Sequence, residues 1–284
     1  MSPKSKKPKS ALASLEREIN LAAHRQDSGQ SADLTTWTAY GNIAPDPLAE
    51  LAGRPVEVLR VYRLTQATAL QALKSLPKLR ALHFQGCELD VAQLLAAARA
   101  LPTLEVLKIE GSKGKVEAAD VSGLGQVRAL HLQGATLADE AIAALFAVKT
   151  REEVVLQRGG SDSQKQVVVK DQPVLRHLNL DLTVKSLTLI DLPALTELEL
   201  GGSFDELKVE DVPLVSQLEL PIGDRASIKN VGVTKIIGVG LSSFELKAAP
   251  NLKTLDLRDS EETLDPKRLA ALRKAFPRAT VLPR

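Results

Sequence analysis

Two histidines of this chain lie in nearly identical heptads. RALHFQG at residues 80–86 contains His83, and RALHLQG at residues 128–134 contains His131. Paired imidazoles can bind zinc or act together in acid–base catalysis. Lys108 occupies the matching position of the segment between them, where a cation opposes metal binding, and no serine or cysteine at that position completes a dyad. The heptads therefore indicate a repeated structural unit, and we expect no metal.

Other reactive side chains of the sequence also lack a supporting context. Cys87 is the one thiol of the chain, at a position that we expect to turn inward, where a small side chain meets buried backbone groups. Glu197, Glu199 and Glu219 could serve acid–base chemistry or a cation. Nothing apolar encloses them to shift a pKa, which favours a solvated acidic strip. We therefore predict that the chain is not an enzyme and has no cofactor.

The heptads belong to a longer repeat of the pattern Leu-x-x-Leu-x-Leu. Its central apolar residue recurs every 23 to 25 positions in the first half and every 18 to 20 in the second. Apolar residues at the central position and two positions later alternate with outward ones, as in a strand with one buried face, and stacked repeats pair such strands in parallel. The central residues are Leu59, Leu82, Leu107, Leu130, Val154, Leu178, Leu198, Leu218, Ile236 and Leu255.

The second copy is the most complete. Leu79, Leu82, Phe84, Cys87 and Leu89 follow the pattern L-x-x-L-x-F-x-x-C-x-L. This resembles the signature of leucine-rich-repeat proteins, in which the position of Cys87 holds Asn or Cys. The resemblance covers roughly residues 55–264 and implies an α/β solenoid, a right-handed superhelix with a parallel concave sheet.

The segments that return the chain from one strand to the next differ between the two halves. Val91–Arg99 is alanine-rich and follows Asp90, a good N-cap, and residues 139–148 repeat this pattern, so helical returns are expected in the first half. After Gln157 the repeats are too short for a helix, and we expect strand-rich convex returns. Their second alternating apolar series is Val167/Val169, Leu187/Leu189, Leu207/Val209 and Phe244/Leu246. Pro173, Pro193 and Pro213 come just ahead of the strands of the concave sheet, where proline fits because no ladder hydrogen bond is required.

We expect one domain with two capped ends. In residues 11–25, Leu12, Leu15, Ile19 and Ala22 recur at helical spacing, whereas residues 26–47 are turn-rich. The predicted parts are a disordered basic tail (1–10), an N-terminal helix and capping region (11–54), a solenoid of 23–25-residue repeats (55–158), a solenoid of about 20-residue repeats (159–264) and a C-terminal cap (265–284).

Charge and composition exclude several classes. The tail contains Lys4, Lys6, Lys7 and Lys9, more positive charge than the net +2 of the chain, so the remainder is net negative. This argues against a nucleic-acid-binding body and leaves weak binding through the tail as an alternative. One cysteine and the absence of a long apolar run favour a cytoplasmic protein without membrane contact. The alanine- and leucine-rich composition, with few Phe and Tyr residues, favours a bacterial source.

The outward positions of the predicted strands form a surface whose charge changes from basic to acidic along the repeats. We predict a monomeric, non-enzymatic adaptor or inhibitor that binds another protein through this concave face. An effector or ubiquitin-ligase-like enzyme that uses Cys87 is the alternative that the resemblance leaves open. The predicted partner-binding residues are Arg60, Tyr62, His83, Gln85, Lys108, Glu110, His131, Gln133, Asn179, Asp181, Glu199, Glu219, Asp256 and Arg258.

Overall fold

The structure is a computed structural model. It describes residues 29–30, 36–40, 48–157, 164–239, 241–259 and 266–283. The predicted basic tail and N-terminal helix lie outside the described residues. The chain divides into two compact units, which we call unit 1 (Met1–Gly114 with Gly123–His131) and unit 2 (Lys115–Ser122 with Leu132–Arg284).

Unit 1 is built on a mostly parallel sheet. Strand β1 pairs antiparallel with β2, and β2, β3, β4 and β5 follow one another in parallel, with the start of β7 next to β5. Leu82 lies opposite Leu59 on one side and Leu107 on the other, so the predicted parallel pairing of the central repeat positions is confirmed. The strands are β1 (Gly29–Gln30), β2 (Thr36–Tyr40), β3 (Val58–Tyr62), β4 (Ala81–Gln85), β5 (Val106–Glu110) and β7 (Ala129–Gln133).

Strand β2 is a difference from the sequence prediction, which assigned residues 26–47 to turns. Thr36–Tyr40 reads TWTAY, and β-branched and aromatic residues fit a pleated, half-buried surface. The whole segment pairs in register with Val58–Tyr62. Pairing with a distant strand therefore overrides the turn-forming residues on either side.

In the described part of unit 1, three short helices lie between the strands in the sequence. They are the 3-10 helices Ala49–Leu51 and Ala67–Ser75 and the α-helix α1 (Val91–Arg99). Asp90 caps α1 as predicted, because its Oδ1 accepts a hydrogen bond from the Ala92 N–H at 2.8 Å while the Gln93 side chain accepts one from the Asp90 N–H at 3.2 Å.

Unit 2 contains long strands that take part in two successive ladders. Strand β11 pairs with β9 through its first residues and with β10 from Val184 to Ile190, and β12 pairs with β11 along both parts. Leu187 lies opposite Val167 and Leu207, which confirms that the second alternating series forms parallel strands. These ladders form the main sheet of unit 2. Its strands are β9 (Glu153–Gln157), β10 (Gln164–Lys170), β11 (His177–Ile190), β12 (Glu197–Val212), β14 (Ile222–Val231) and β16 (Leu241–Lys247).

The rest of unit 2 comprises two smaller sheets and three helices. Thr280–Leu282 pairs in parallel with Thr254–Asp259 at the edge of one of these sheets. One sheet has the order β13 (Gln217–Leu220), β15 (Lys235–Val239), β17 (Thr254–Asp259), β18 (Thr280–Leu282), and the other pairs β6 (Lys115–Val116) with β8 (Thr136–Leu137). The helices are α2 (Ala118–Ser122), α3 (Asp139–Ala147) and α4 (Pro266–Ala275).

One backbone conformation recurs at the corners behind the sheet of unit 2. Asp171, Asp191, Asp211, Asn230 and Ala248 have φ values of 53°, 55°, 57°, 51° and 53°. Asp and Asn tolerate this left-handed region better than other residues with a side chain. The identical corners let successive turns of the chain stack in register, and each of the first three precedes a proline by two residues.

Candidate protein-binding surface

Alternation along the strands gives each unit a surface opposite its leucine core. We call this surface, which the sequence predicts to be concave, the front face. In unit 1 it includes Arg60, His83 and Lys108, which lie side by side in register. In unit 2 it includes Asn179 and Glu199, which are also register partners.

The carboxylate of Glu110 joins His83 and Lys108 on the front face of unit 1. The Nε2 of His83 lies 3.1 Å from Oε2 of Glu110, and Nζ of Lys108 lies 2.8 Å from its Oε1. These side chains come from adjacent strands, β4 and β5. The structure thus brings together three of the predicted partner-binding residues.

Three more predicted residues form the neighbouring part of this network. The Arg60 guanidinium lies over the Tyr62 ring, 4.4 Å from its centroid, and donates a hydrogen bond to Oε1 of Gln85. A cation over an aromatic face is attracted by the ring quadrupole. Arg60 is therefore held by two neighbours of its own unit.

Arg60 and His83 lie on the outward side of the sheet, as predicted, but they are not exposed to solvent. Arg60 is 4% exposed and His83 is 2% exposed, whereas Tyr62, Gln85, Lys108 and Glu110 are half-buried. Val58 and Ala81, the front-face residues two positions earlier on the same strands, are buried as well. Alternation places a side chain on the front of the sheet, but it does not decide whether other atoms lie over it.

Burial controls the ionisation of this network. Desolvation lowers the pKa of His83, the hydrogen bond and charge of Glu110 oppose this, and the charges of Arg60 and Lys108 add to the lowering. The hydrogen bond from His83 is the main reason that the pKa of Glu110 falls to about 2. A neutral His83 donates through Nε2 to Glu110, so Nδ1 is a buried acceptor with no partner among the described residues.

The predicted residues farther along the chain are more accessible. His131 is half-buried and Gln133 exposed. In unit 2, Asp181, Glu199 and Glu219 are exposed, and half-buried Asn179 donates a hydrogen bond to Glu199.

Asp256 and Arg258 pair on strand β17. Half-buried Asp256 accepts hydrogen bonds from Nε and Nη2 of exposed Arg258 at 2.9 and 2.7 Å. The hydrogen bond from Arg258 lowers the pKa of Asp256, and the same contact raises that of Arg258. These two predicted residues therefore form an ion pair on the front face and are not isolated charges.

His177 is a front-face residue that the sequence reasoning missed. Its Nδ1 lies 2.8 Å from Oε1 of Glu153, its register partner on the preceding strand. This hydrogen bond raises the pKa of His177 above its ordinary value, against the effect of desolvation. The sequence signal for this pair is a shared repeat position. Glu153 and His177 come immediately before the central residues Val154 and Leu178, so they are neighbours on paired strands.

The front face of unit 2 is interrupted between β12 and β13. Thr196 N donates to Arg176 O at 2.9 Å, and Thr234 N donates to Ser216 O at 2.8 Å. No equivalent bond joins Ser216 to Thr196 in the described chain, and the two strands belong to different sheets. We call the gap between Glu197–Leu200 and Gln217–Leu220 the front seam.

The front seam forms an acidic depression. Its volume is about 380 Å³, and Glu199, Glu219 and Lys235 contribute the charges of its lining. Leu198, Leu200, Leu218 and Ile237 supply its apolar part. Exposed strand edges with unpaired backbone groups accept further strands in many complexes.

The remaining chemical candidate is buried. Cys87 is 3% exposed, with Sγ 3.8 Å from Val61 O and 3.9 Å from Gln85 O, which confirms its predicted inward position. Burial raises the pKa of its thiol. Within the described ranges, no group of three or more His, Cys, Asp or Glu side chains could hold a metal ion. None of the described helices is long and apolar enough to span a membrane.

Comparisons with known proteins identify little beyond this geometry. No protein-family model matches the chain, and no curated protein matches it. Among solved structures, a leucine-rich-repeat protein of Leptospira interrogans is similar with a TM-score of 0.36 and 14% sequence identity, over 98% of this chain and 99% of that one. The fold description therefore rests on the strand register of this chain.

Proposed function

We propose that the chain is a non-enzymatic leucine-rich-repeat module, an adaptor or an inhibitor, that binds an extended basic segment of another protein along the front seam. The observation that carries the proposal is the interrupted ladder between Glu197–Leu200 and Gln217–Leu220. An extended partner segment that lies over the seam can reach backbone groups that the two edges do not use with each other. Solenoids with repeated strands commonly use such extended surfaces for binding.

Charge supports a basic partner. Glu197, Glu199 and Glu219 are exposed at the front seam. Lysine or arginine side chains of a bound segment would face these carboxylates, and such complementarity fixes orientation and accelerates association. Binding is then expected to weaken as salt is added.

The burial of Cys87 supports the proposal that the chain is not an enzyme. A nucleophilic cysteine needs access and a thiolate, whereas Cys87 is buried and the pKa of its thiol is raised. Its contacts with two backbone carbonyls suit a structural role in the turn after β4. We therefore assign it no part in catalysis.

Quantitative capture from a lysate of the source organism tests the proposal. Glu199→Lys/Glu219→Lys reverses charge at the front seam, and Glu206→Lys/Glu245→Lys makes the same change at two exposed carboxylates elsewhere in unit 2. We expect wild type and the second variant to capture the partner in equal amounts. The first variant should capture about tenfold less of it.

Two results would contradict the proposal. One is capture of the same protein, in equal amounts, by both folded variants. The other is a captured partner whose binding does not respond to salt, because an acidic site for a basic segment requires a salt-dependent affinity.

A further inference from the structure

His177 stands in a row of ionisable side chains that leads to the edge of the front seam. Its register partners are Glu153 on β9 and Glu197 on β12, and all three residues come immediately before the central residue of their repeat. Alternation places the three side chains on the front face, and neighbouring strands are about 4.8 Å apart. Glu197 is the first residue of the strand segment that borders the seam. The histidine is therefore one strand away from the proposed binding site.

The two ring nitrogens of His177 differ in their partners. Nδ1 lies 2.8 Å from Oε1 of Glu153, whereas Nε2 is buried and has no hydrogen-bond partner among the described residues. A neutral imidazole carries its proton on one nitrogen and accepts at the other, and a carboxylate can only accept. The N–H at Nδ1 therefore donates to Glu153. Uptake of a second proton occurs at Nε2 and turns it into a buried donor that needs an acceptor.

The strand on the seam side supplies the acceptor. Glu197 is exposed and makes no hydrogen bond or ion pair with other side chains of the described chain. Glu199, two positions further along, already accepts a hydrogen bond from Asn179. The hydrogen bond to Glu153 is the main reason that the pKa of His177 is raised, and the charges of Glu197 and Glu199 add to it. These are the acidic groups that the two strands paired with this part of β11 present to the ring.

We propose that His177 regulates the front seam through proton uptake: the protonated ring pairs with Glu197 and withdraws that carboxylate from the seam. Two effects then reduce the attraction for a basic segment. The imidazolium adds a positive charge beside the seam, and Glu197 is engaged within the chain. Binding of a basic segment is tightest where His177 is neutral and weakens as pH falls. By reciprocity, a bound basic segment favours the neutral histidine.

This inference deepens the proposed function and rests on it for the binding step alone. The pairing of His177 with Glu197 is a property of the chain itself and can be measured with no partner present. Separate measurements of pairing and of binding therefore distinguish a failure of the regulation from a failure of the proposed binding site.

The side-chain carboxyl resonance of Glu197 tests the pairing in the full-length protein. From pH 5.5 to 8.5, above the range in which carboxyl groups ordinarily titrate, we expect this carbon resonance to follow the protonation midpoint of His177. The inflection should disappear in His177→Gln, whose amide N–H can still donate to Glu153. Glu206, an exposed carboxylate that pairs with Arg225, is the internal control and should show no inflection.

A second variant keeps the test valid should His177→Gln fail to fold. Glu197→Gln changes an exposed side chain and should lower the protonation midpoint of His177, because the paired carboxylate favours the charged ring. Glu206→Gln is the matched control and should leave that midpoint at its wild-type value. Equal midpoints in wild type and Glu197→Gln would overturn the pairing. An inflection in wild type that is larger at Glu199 than at Glu197 would overturn it as well.

Binding of heptalysine to the full-length protein tests the regulation. The lysine side chains stay charged between pH 5.5 and 8.5, so a change in affinity reports a change in the protein. Fluorescence anisotropy of the labelled peptide at low salt should show binding about threefold to tenfold weaker at pH 5.5 than at pH 8.5. His177→Gln should bind with nearly equal affinity at both pH values. Loss of binding in Glu199→Lys/Glu219→Lys places the peptide at the front seam.

Two binding results would overturn the regulation. One is equal wild-type affinity at the two pH values, and the other is a pH dependence that persists unchanged in His177→Gln. If heptalysine binds at neither pH, the proposed seam function fails and its regulation fails with it. The carboxyl titration still decides in that case whether His177 and Glu197 pair.

Discussion

The front faces of the two units use the same strand position in opposite ways. Immediately before the central residue, unit 1 has Val58, Ala81 and Val106, all buried, whereas unit 2 has exposed Glu197 and Gln217. The next outward position follows the same trend, from buried residues such as His83 to exposed Glu199. The first front face has the character of an interior surface, and the second that of a surface available to a partner.

This difference separates two roles within one repeat pattern. A buried, apolar front face contributes to the stability of its unit. A polar, interrupted front face leaves strand edges and carboxylates accessible. We therefore expect changes at the same strand position to affect stability in unit 1 and binding in unit 2.

The largest expected effect comes from placing a carboxylate among the buried front-face residues of unit 1, which are Val58, Ala81, Val106 and Ala129. Ala81→Asp should lower the free energy of unfolding by roughly 2–4 kcal/mol, because a buried charge without a partner is costly. Gln217→Asp makes the equivalent change at the exposed position of unit 2 and should change it by less than about 0.5 kcal/mol. Denaturant unfolding measures both. Equal, small losses would mean that Ala81 is accessible to water in solution.

A smaller effect is expected where the chain turns behind the two sheets. Asp90→Ala removes the cap of α1 in unit 1 and should cost about 1 kcal/mol. Ala248→Gly relieves a left-handed corner in unit 2, where φ is 53°, and should stabilise by about 0.5–1 kcal/mol. Both changes are read from denaturation midpoints. A destabilised Ala248→Gly would show that the corner is not strained.

The finest distinction lies in the titration of one histidine from each unit. NMR titration should give His83 a pKa below 6.5, because burial disfavours its charge, and His177 a pKa above 6.5, because Glu153 accepts a hydrogen bond from it. His83→Gln and His177→Gln assign the two signals. The reverse order of the two midpoints would contradict the burial and pairing described for these side chains.

The two shifts have opposite consequences for stability. For His83 the unfolded chain binds more protons, so its contribution is lost as pH falls through 6.5 toward the folded value. For His177 the folded chain binds more protons, so its contribution is present below 6.5 and is lost as pH rises through the folded value. Comparing each glutamine variant with wild type at pH 5 and pH 8 separates the two contributions.

Much of the strand arrangement could be predicted because it depends on local periodicity. Leu59, Leu82 and Leu107 share a repeat position and prove to be register partners. Cys87 was correctly assigned to the interior, since its place in the repeat determines which way it points. Residues 36–40 were missed as a strand because their conformation depends on pairing with Val58–Tyr62, which the local sequence does not report.

The candidate site was less predictable. Arg60 and His83 occupy outward positions, yet both are buried, because exposure depends on atoms that come from elsewhere in the chain. The front seam was not foreseen either. It lies between Leu198 and Leu218, whose separation of 20 residues equals that between Leu178 and Leu198, so the spacing does not show that backbone hydrogen bonds are missing there.

The sequence by itself determined the repeat interval, the alternation of core and outward residues, and hence the parallel pairing of strands. These follow from short-range geometry, in which each side chain alternates with its neighbour. Only the tertiary structure decided which outward residues are buried and where the ladder is interrupted. Burial and strand pairing depend on segments far apart in the chain, and the same local pattern is compatible with a covered face in unit 1 and an exposed one in unit 2.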